Sequence, residues 1–139
     1  MEPTLERHDR VITTSIDRTQ GTQRGDIVVF ISPPAMSEAT GGGEYVVLFR
    51  VVGLPGETFE VRDGQTLINQ VPLPEPYVQD PPEYSFGPIT IPPDAYIVLG
   101  DNRNNAFDST AWGFLPAANI TGKVQSVYWP PGRFGSVYD

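Results

Sequence analysis

The carboxylates beside two glycine-containing turns are the first candidates for chemistry in this sequence. Asp101 and Asp108 lie in a polar run after an apolar segment, and Glu57 follows a Gly-Leu-Pro-Gly turn. Paired carboxylates could act as acid and base in an aspartic protease, or could bind a metal ion. However, the chain lacks the repeated Asp-Thr/Ser-Gly signature of those proteases and the spacing of a calcium loop. We therefore predict no metal site, and expect Asp101 to pair with Arg50 or Arg103.

Few other side chains could serve as a nucleophile, a base or a ligand. The chain has no cysteine, a single histidine at His8 and a single lysine at Lys123. A disulfide and a thiolate zinc site are therefore excluded, and a histidine-based triad or a histidine-rich metal site is not expected. We expect Lys123 to be a surface lysine on a late strand. Nothing in the sequence calls for a cofactor, and none is predicted.

The distribution of charge argues against nucleic acid as a partner. The formal net charge is −8, and the nine basic residues are scattered singly along the 139-residue chain. Phosphate binding needs grouped lysine and arginine side chains, which are missing here. The longest apolar run, residues 45–52, is far shorter than the roughly 20 residues that span a bilayer, and no signal peptide is visible.

Short strands are expected to position these residues, since 15 prolines and 14 glycines favour turns. Apolar or β-branched runs predict strands at residues 10–16, 27–31, 45–52, 95–99 and 122–129, those at 27–31 and 45–52 being buried. Asp63-Gly64 predicts a hairpin turn between strands at residues 58–62 and 66–69. Residues 32–44 are expected to form a surface loop, and the proline-rich residues 72–93 an extended loop.

Four motifs occur in an order that resembles one enzyme family. Residues 1–5 read MEPTL, residues 24–30 read RGDIVVF, residues 50–57 read RVVGLPGE and residues 100–113 read GDNRNNAFDSTAWG. Each motif alone is a weak signal. Together, in this order and over almost the whole chain, they resemble the signature motifs of type I signal peptidases.

The resemblance implies a mostly β fold, with an antiparallel core lobe and a small inserted lobe of β structure and loops. The core lobe would comprise residues 1–57 and 96–139, and the inserted lobe residues 58–95. Members of the family are held by an N-terminal membrane anchor, which these residues do not include. They remove signal peptides from exported preproteins on the extracytoplasmic side of a membrane. Signal peptides or preproteins, and that side of a membrane, are thus the implied partners and location.

The chemistry that the resemblance implies is a serine/lysine dyad. The serine attacks, and a lysine whose pKa is lowered by apolar burial removes its proton. In this chain the serine would precede Met1, and Phe49 occupies the position of the lysine. The serine that supports the lysine corresponds to Ala106, and a later arginine of the same motif corresponds to Thr110. We therefore predict that no catalytic residue is intact and that the chain as given is inactive.

The remaining family positions are of two kinds. Those that organise the core lobe in the family are present: Arg50, Asp101, Asn102, Arg103, Asn105 and Asp108. Those that correspond to the apolar wall beside the cleavage site are also apolar here: Met1, Leu5, Val47, Leu48 and Phe49. The second set would line a substrate groove, or would simply be core.

Three interpretations remain open from the sequence. The first is a signal-peptidase-like domain that has lost its dyad and binds peptides. The second is a fragment of an active signal peptidase that uses an unusual base. The third is an interaction module without a groove. A cleavage assay separates the second from the others, and binding of an Ala-x-Ala signal sequence separates the first from the third.

Overall fold

A computed structural model describes residues 1–16 and 21–138 and shows two antiparallel β-sheets. The strands are β1 Arg10–Ser15, β2 Ile27–Ile31, β3 Val46–Gly53, β4 Thr58–Arg62, β5 Gln65–Ile68, β6 Val71–Pro72, β7 Phe86–Thr90, β8 Ala95–Leu99, β9 Leu115–Pro116, β10 Ile120–Trp129 and β11 Gly135–Ser136. The helices are α1 Pro34–Ala39 and α2 Ser109–Trp112, with single 3-10 turns at Arg103–Asn105, Ala117–Asn119 and Pro131–Arg133. The predicted mostly β, antiparallel fold is confirmed.

The larger sheet contains seven strands in the order β1-β10-β2-β3-β8-β9, with β11 beside β10. β10 is the last long strand of the chain, yet it lies between the first two. β3 pairs with β2 over residues 46–50 and with β8 only from Arg50 onward. This offset leaves the first half of β3 with a neighbouring strand on one side only.

The smaller sheet contains four strands in the order β6-β5-β4-β7, all from residues 58–90. The predicted hairpin is confirmed, because Arg62 pairs with Gln65 across a two-residue turn. Asp63 and Gly64 both have positive φ, 52° and 75°, as a type I′ turn requires. The division into two lobes at residues 57 and 96 stays a prediction.

Three local predictions were wrong. Residues 32–44 contain α1, which begins at Pro34 because a proline in the first helical turn needs no backbone partner for its nitrogen. The proline-rich region contains β7, which holds Pro88 because it is an edge strand paired only with β4. The strand predicted to be buried at residues 45–52 begins exposed, with Val46 76% accessible.

Three apolar clusters form the core, and one of them joins the two sheets. One face of β2 and β3 packs around Phe30 and Trp112, and the opposite face packs around Ile27 and Val124. A third cluster, which includes Phe59 and Ile97, joins the smaller sheet to β8. The two sheets therefore share a continuous apolar contact.

Across residues 1–16 and 21–138, we find no helix long and apolar enough to cross a membrane.

Candidate functional site

The Gly-Leu-Pro-Gly turn after β3 fixes the direction of the chain as it leaves the larger sheet. A Cβ at Gly53 would lie 2.5 Å from Cδ1 of Ile91 and 2.9 Å from Cβ of Ile97, so no larger residue fits. Gly56 has φ of 81°, which favours glycine. Glu57 closes the turn by accepting a 2.7 Å hydrogen bond from the Leu54 amide. The motif thus needs glycine for two reasons: close packing at Gly53 and a left-handed backbone conformation at Gly56.

Arg24 ties this turn to the segment that precedes β2. Its guanidinium donates two hydrogen bonds to the Glu57 carboxylate and a third, of 2.8 Å, to the carbonyl of Val52. These bonds from Arg24 hold the pKa of Glu57 below its ordinary value, against the opposing effect of burial. Glu57 therefore serves as a turn cap and an ion-pair partner, as expected.

Arg50 and Asp101 form a buried ion pair beneath the N-terminal motif. Nε and Nη2 of Arg50 each donate to the Asp101 carboxylate at 2.8 Å, and the two side chains are only 4% and 0% exposed. The hydroxyl of Thr4 also donates to Asp101. Nη1 of Arg50 donates to the carbonyl of Gly25 at 3.0 Å. The partner of Asp101 is thus Arg50, and the pair joins all four sequence motifs.

The proline-rich segment of the smaller sheet covers this ion pair. The ring of Tyr77 stacks on Arg50, with the guanidinium carbon 3.9 Å from the ring centre. Arg103 pairs with Glu75 and not with Asp101, and its Nε donates to the carbonyl of Gly100. Burial, together with the nearby Glu75 carboxylate, raises the pKa of the Tyr77 hydroxyl well above its ordinary range.

Sequence reasoning missed Glu75 and Tyr77, although both contact the family motifs. They lie among prolines in a region without alternation or a motif of its own. The only available signal was charge: Arg103 needed a second carboxylate once Asp101 was assigned to Arg50.

Phe49 and Ala106 meet at Gly100. A Cβ at Gly100 would lie 2.6 Å from Cβ of Ala106 and 3.4 Å from Cε1 of Phe49. The Phe49 ring also packs on Phe30, with ring centres 6.2 Å apart. The positions that correspond to the lysine and its supporting serine are therefore neighbours in space, and both present only carbon.

Asp108 and Thr110 shape the turn that follows. Asp108 is fully buried and accepts hydrogen bonds from the Gly100 amide and from the amide and hydroxyl of Thr110, at 3.2, 3.1 and 2.7 Å. Burial nevertheless raises the pKa of Asp108. Asp108 is thus the N-cap of α2, and Thr110, at the position of the family's arginine, supports it by donating two hydrogen bonds.

The three asparagines of this motif have different surroundings. Asn102 is half-buried and precedes the 3-10 turn, and its carbonyl accepts from the Asn105 amide. The side chain of Asn105 is exposed. Asn104 instead makes the contact with the proline-rich segment, bonding to Pro81 and Glu83.

The five candidates for an apolar wall divide between two faces of β3. Met1 and Leu48 pack with Leu5 on the Ile27 side, whereas Val47 and Phe49 pack on the Phe30 side. Alternation along β3 accounts for this division, because successive side chains point to opposite faces. The structure therefore brings Met1, Leu5 and Leu48 together, and places Phe49 on the other face of the same strand.

The first half of β3 has a free backbone edge between these two groups. Val51 bonds through both its amide and its carbonyl to residues 25–26 on the β2 side, at 2.8 Å. Because backbone groups alternate in direction, the amide and carbonyl of Leu48 point to the opposite side. No described strand pairs with Leu48 there, since β8 begins its pairing at Arg50.

Lys123 lies on β10 away from Phe49. Its ammonium nitrogen is 2.9 Å from Oδ1 of Asp26, and that bond raises the pKa of the lysine. The side chain is 30% exposed, in keeping with the surface lysine that was predicted. Within residues 1–16 and 21–138, no group of three or more histidine or acidic side chains could hold a metal ion.

Comparison with known proteins assigns the fold and the motifs to one family. The profile of the signal peptidase, peptidase S26 family matches residues 1–129. The chain belongs to this family.

Individual relatives agree with the assignment. A signal peptidase I of Leptolyngbya laminosa is 44% identical over 99% of this chain and 68% of its own length. A probable signal peptidase I-2 of a Synechocystis strain is 40% identical over 100% of this chain and 63% of its own length. The crystal structure of a signal peptidase I from Enterococcus faecalis V583 superposes with a TM-score of 0.56 at 34% identity, covering 73% of this chain and 95% of that one. The chain thus spans about two thirds of the length of these cyanobacterial relatives.

Proposed function

We propose that this protein binds signal peptides, or the equivalent extended segments of preproteins, and does not cleave them by the serine/lysine mechanism. It would do so on the extracytoplasmic side of a membrane, where signal peptides emerge. The observation that carries the proposal is the contact of Phe49 and Ala106 around Gly100. Where the family mechanism needs a base and a hydroxyl that supports it, these two residues offer neither a lone pair nor a proton.

Replacement of both the lysine and its supporting serine, by Phe49 and Ala106, says more about the mechanism than either replacement alone. A lysine without its supporting serine would be poorly held, and a serine without the lysine would have no partner. Here both polar groups are absent together, while Arg50, Asp101 and Asp108 keep their hydrogen bonds. The substitutions therefore affect proton transfer and leave the supporting network intact.

Peptide binding is supported by the free edge of β3. An extended segment could add a strand beside Leu48, using the backbone amide and carbonyl that have no described partner. Val47 and Leu48 would then offer apolar contacts on the two faces of the added strand. Successive residues of the added peptide strand would face opposite sides. Two small residues that lie two positions apart would therefore contact the same face.

A cleavage assay tests the loss of activity. Each variant carries a serine directly before Met1, because the family nucleophile precedes this motif. We expect no cleavage of a preprotein by the chain with Phe49 and Ala106, and detectable cleavage by Phe49→Lys with Ala106→Ser. The control replaces the added serine by alanine in the double variant and should abolish that cleavage.

The outcomes separate the interpretations. Cleavage by the chain that retains Phe49 would overturn the proposal and require another base. If the double variant stays inactive while folded, the view that only the dyad has been lost is wrong.

A binding assay tests the other half of the proposal. A fluorescent Ala-x-Ala signal peptide should bind the unmodified chain and compete with an unlabelled copy. A matched peptide with N-methylated backbone amides should bind about tenfold more weakly, because an added strand needs those donors. Equal binding of the two peptides, or no binding at all, would contradict strand addition at β3.

A further inference from the structure

One large cavity of the described residues opens beside the buried Arg50 side chain. It has a volume of about 920 Å³ and opens between the N-terminal motif, the segment before β2 and the segment after β10. Pro76 and Tyr77 of the proline-rich segment form a further wall. This volume is in the range of small-molecule sites. Phe49 and Ala106, at the positions of the dyad lysine and its supporting serine, do not line it.

Basic side chains are concentrated around this cavity. Four of the nine basic residues of the chain line it: Arg24, Arg50, Lys123 and Arg133. Of the described residues in the lining, Asp26 is the only one with a carboxylate, although the whole chain carries a net charge of −8. The described lining therefore holds more basic than acidic side chains, and each of its four basic residues is paired with a carboxylate.

The arrangement of the ion pairs leaves this charge facing the cavity. Glu57, Asp101 and Asp9, which pair with the three arginines, do not belong to the lining. About three tenths of the Arg24 and Arg133 side chains stays exposed despite the pairing. The carboxylates thus hold the three arginines from outside the lining, and they leave Arg24 and Arg133 partly exposed while Arg50 is buried.

Lys123 has the largest unused donor capacity at the site. Its ammonium carries three N–H groups, and among the described residues only Asp26 accepts from it. The nitrogen lies 4.8 Å from the ring centre of Tyr138, whose hydroxyl donates to the Val124 carbonyl and accepts from the Ile27 amide. Lys123 is thus held in place by its neighbours with two donors available.

We propose that this cavity is a binding site for a small molecule that carries a phosphate or carboxylate group. The anion would bond to Lys123 and to the open parts of Arg24 and Arg133, and the rings of Tyr77 and Tyr138 would contact its less polar part. A charged group held by several such donors is bound through charge-assisted hydrogen bonds. The site is independent of peptide binding at β3.

Calorimetric titration of the full chain with inorganic phosphate and with citrate tests the site. We expect saturable binding, about tenfold weaker in Lys123→Gln and nearly unchanged in Lys123→Arg, which keeps the charge. Arg62→Gln is the matched control, because Arg62 lies outside the cavity and is 56% exposed. Thermal unfolding of each variant shows that it is folded before it is titrated.

A vesicle-binding assay distinguishes a free anion from a lipid headgroup as the ligand of this cavity. Sedimentation with phosphatidylglycerol vesicles, against phosphatidylcholine alone, should show no binding that depends on Lys123 if the ligand is a small soluble molecule. Binding that depends on Lys123 and occurs only on vesicles would overturn the soluble ligand. Absence of binding to phosphate and citrate, or equal binding by Lys123→Gln, would overturn the site. Since neither Phe49 nor Ala106 is involved, these results are independent of the cleavage assay.

Discussion

Gly100 packs against both Phe49 and Ala106, the residues at the positions of the family's lysine and its supporting serine. A methyl group here would overlap Cβ of Ala106 and press on the Phe49 ring. We therefore predict that Gly100→Ala lowers the free energy of unfolding by about 1–3 kcal/mol, measured in urea. Gly132→Ala is the control, because a Cβ at Gly132 meets no atom within 4 Å, and its effect should be within about 0.5 kcal/mol.

A second variant that removes the overlap between residues 100 and 106 tests this cause of the destabilisation directly. Combining Gly100→Ala with Ala106→Gly removes the 2.6 Å overlap. The double variant should recover part of the loss, as contacting residues are not additive. If the two effects simply add, the contact with Ala106 is not the cause.

Comparison of motifs predicts a contact between two residues well when both residues lie within motifs. The sequence offered Arg50 and Arg103, both at motif positions, as partners of Asp101, and the structure selects Arg50. Glu75 and Tyr77 were not predicted, because their contacts depend on how a proline-rich segment crosses the core. The division of the wall candidates between two faces follows from strand alternation, and the strand predicted at residues 45–52 already implied it.

The turn between β3 and β4 depends on pH through Glu57. Because the hydrogen bonds from Arg24 lower the pKa of Glu57 in the folded state, the unfolded chain takes up this proton first on acidification. The contribution of the pair is complete above the ordinary pKa of a glutamate and is lost as the pH falls through the lower, folded value. It should amount to about 1 kcal/mol.

Unfolding in urea between neutral pH and about pH 3 measures this contribution. The difference in stability between the unchanged chain and Glu57→Gln should be constant near neutrality and shrink in acid. Glutamine can still accept from the Leu54 amide, so the cap is largely kept. A difference that does not change with pH would show that the charge of Glu57 is not responsible.

Strands and helices were predicted unevenly, for physical reasons. The Asp63-Gly64 hairpin is encoded locally, because its turn residues and flanking alternation determine it. α1 and β7 were missed, because glycines and prolines near them indicate loops unless tertiary contacts intervene. The position of each proline mattered more than its presence: Pro34 starts a helix, and Pro88 lies in an edge strand.

At the scale of the whole molecule, Tyr77 connects the proline-rich segment to the larger sheet. We predict that Tyr77→Ala, which removes the stacking on Arg50, lowers the free energy of unfolding by about 2 kcal/mol. Limited proteolysis should then cut faster within residues 73–85. Tyr45→Ala, at an exposed tyrosine outside this contact, should leave the cutting rate unchanged. An equal increase in both variants would argue for general destabilisation.

The position of β10 has a consequence for the order in which the protein can assemble during synthesis. β1 and β2 appear early from the ribosome, but the strand that separates them in the sheet is made more than 90 residues after β2 begins. The smaller sheet, by contrast, is contiguous and can form as soon as it is made. β1 and β2 must therefore each wait with an open edge until β10 has been made, and unpaired strand edges expose a nascent chain to aggregation.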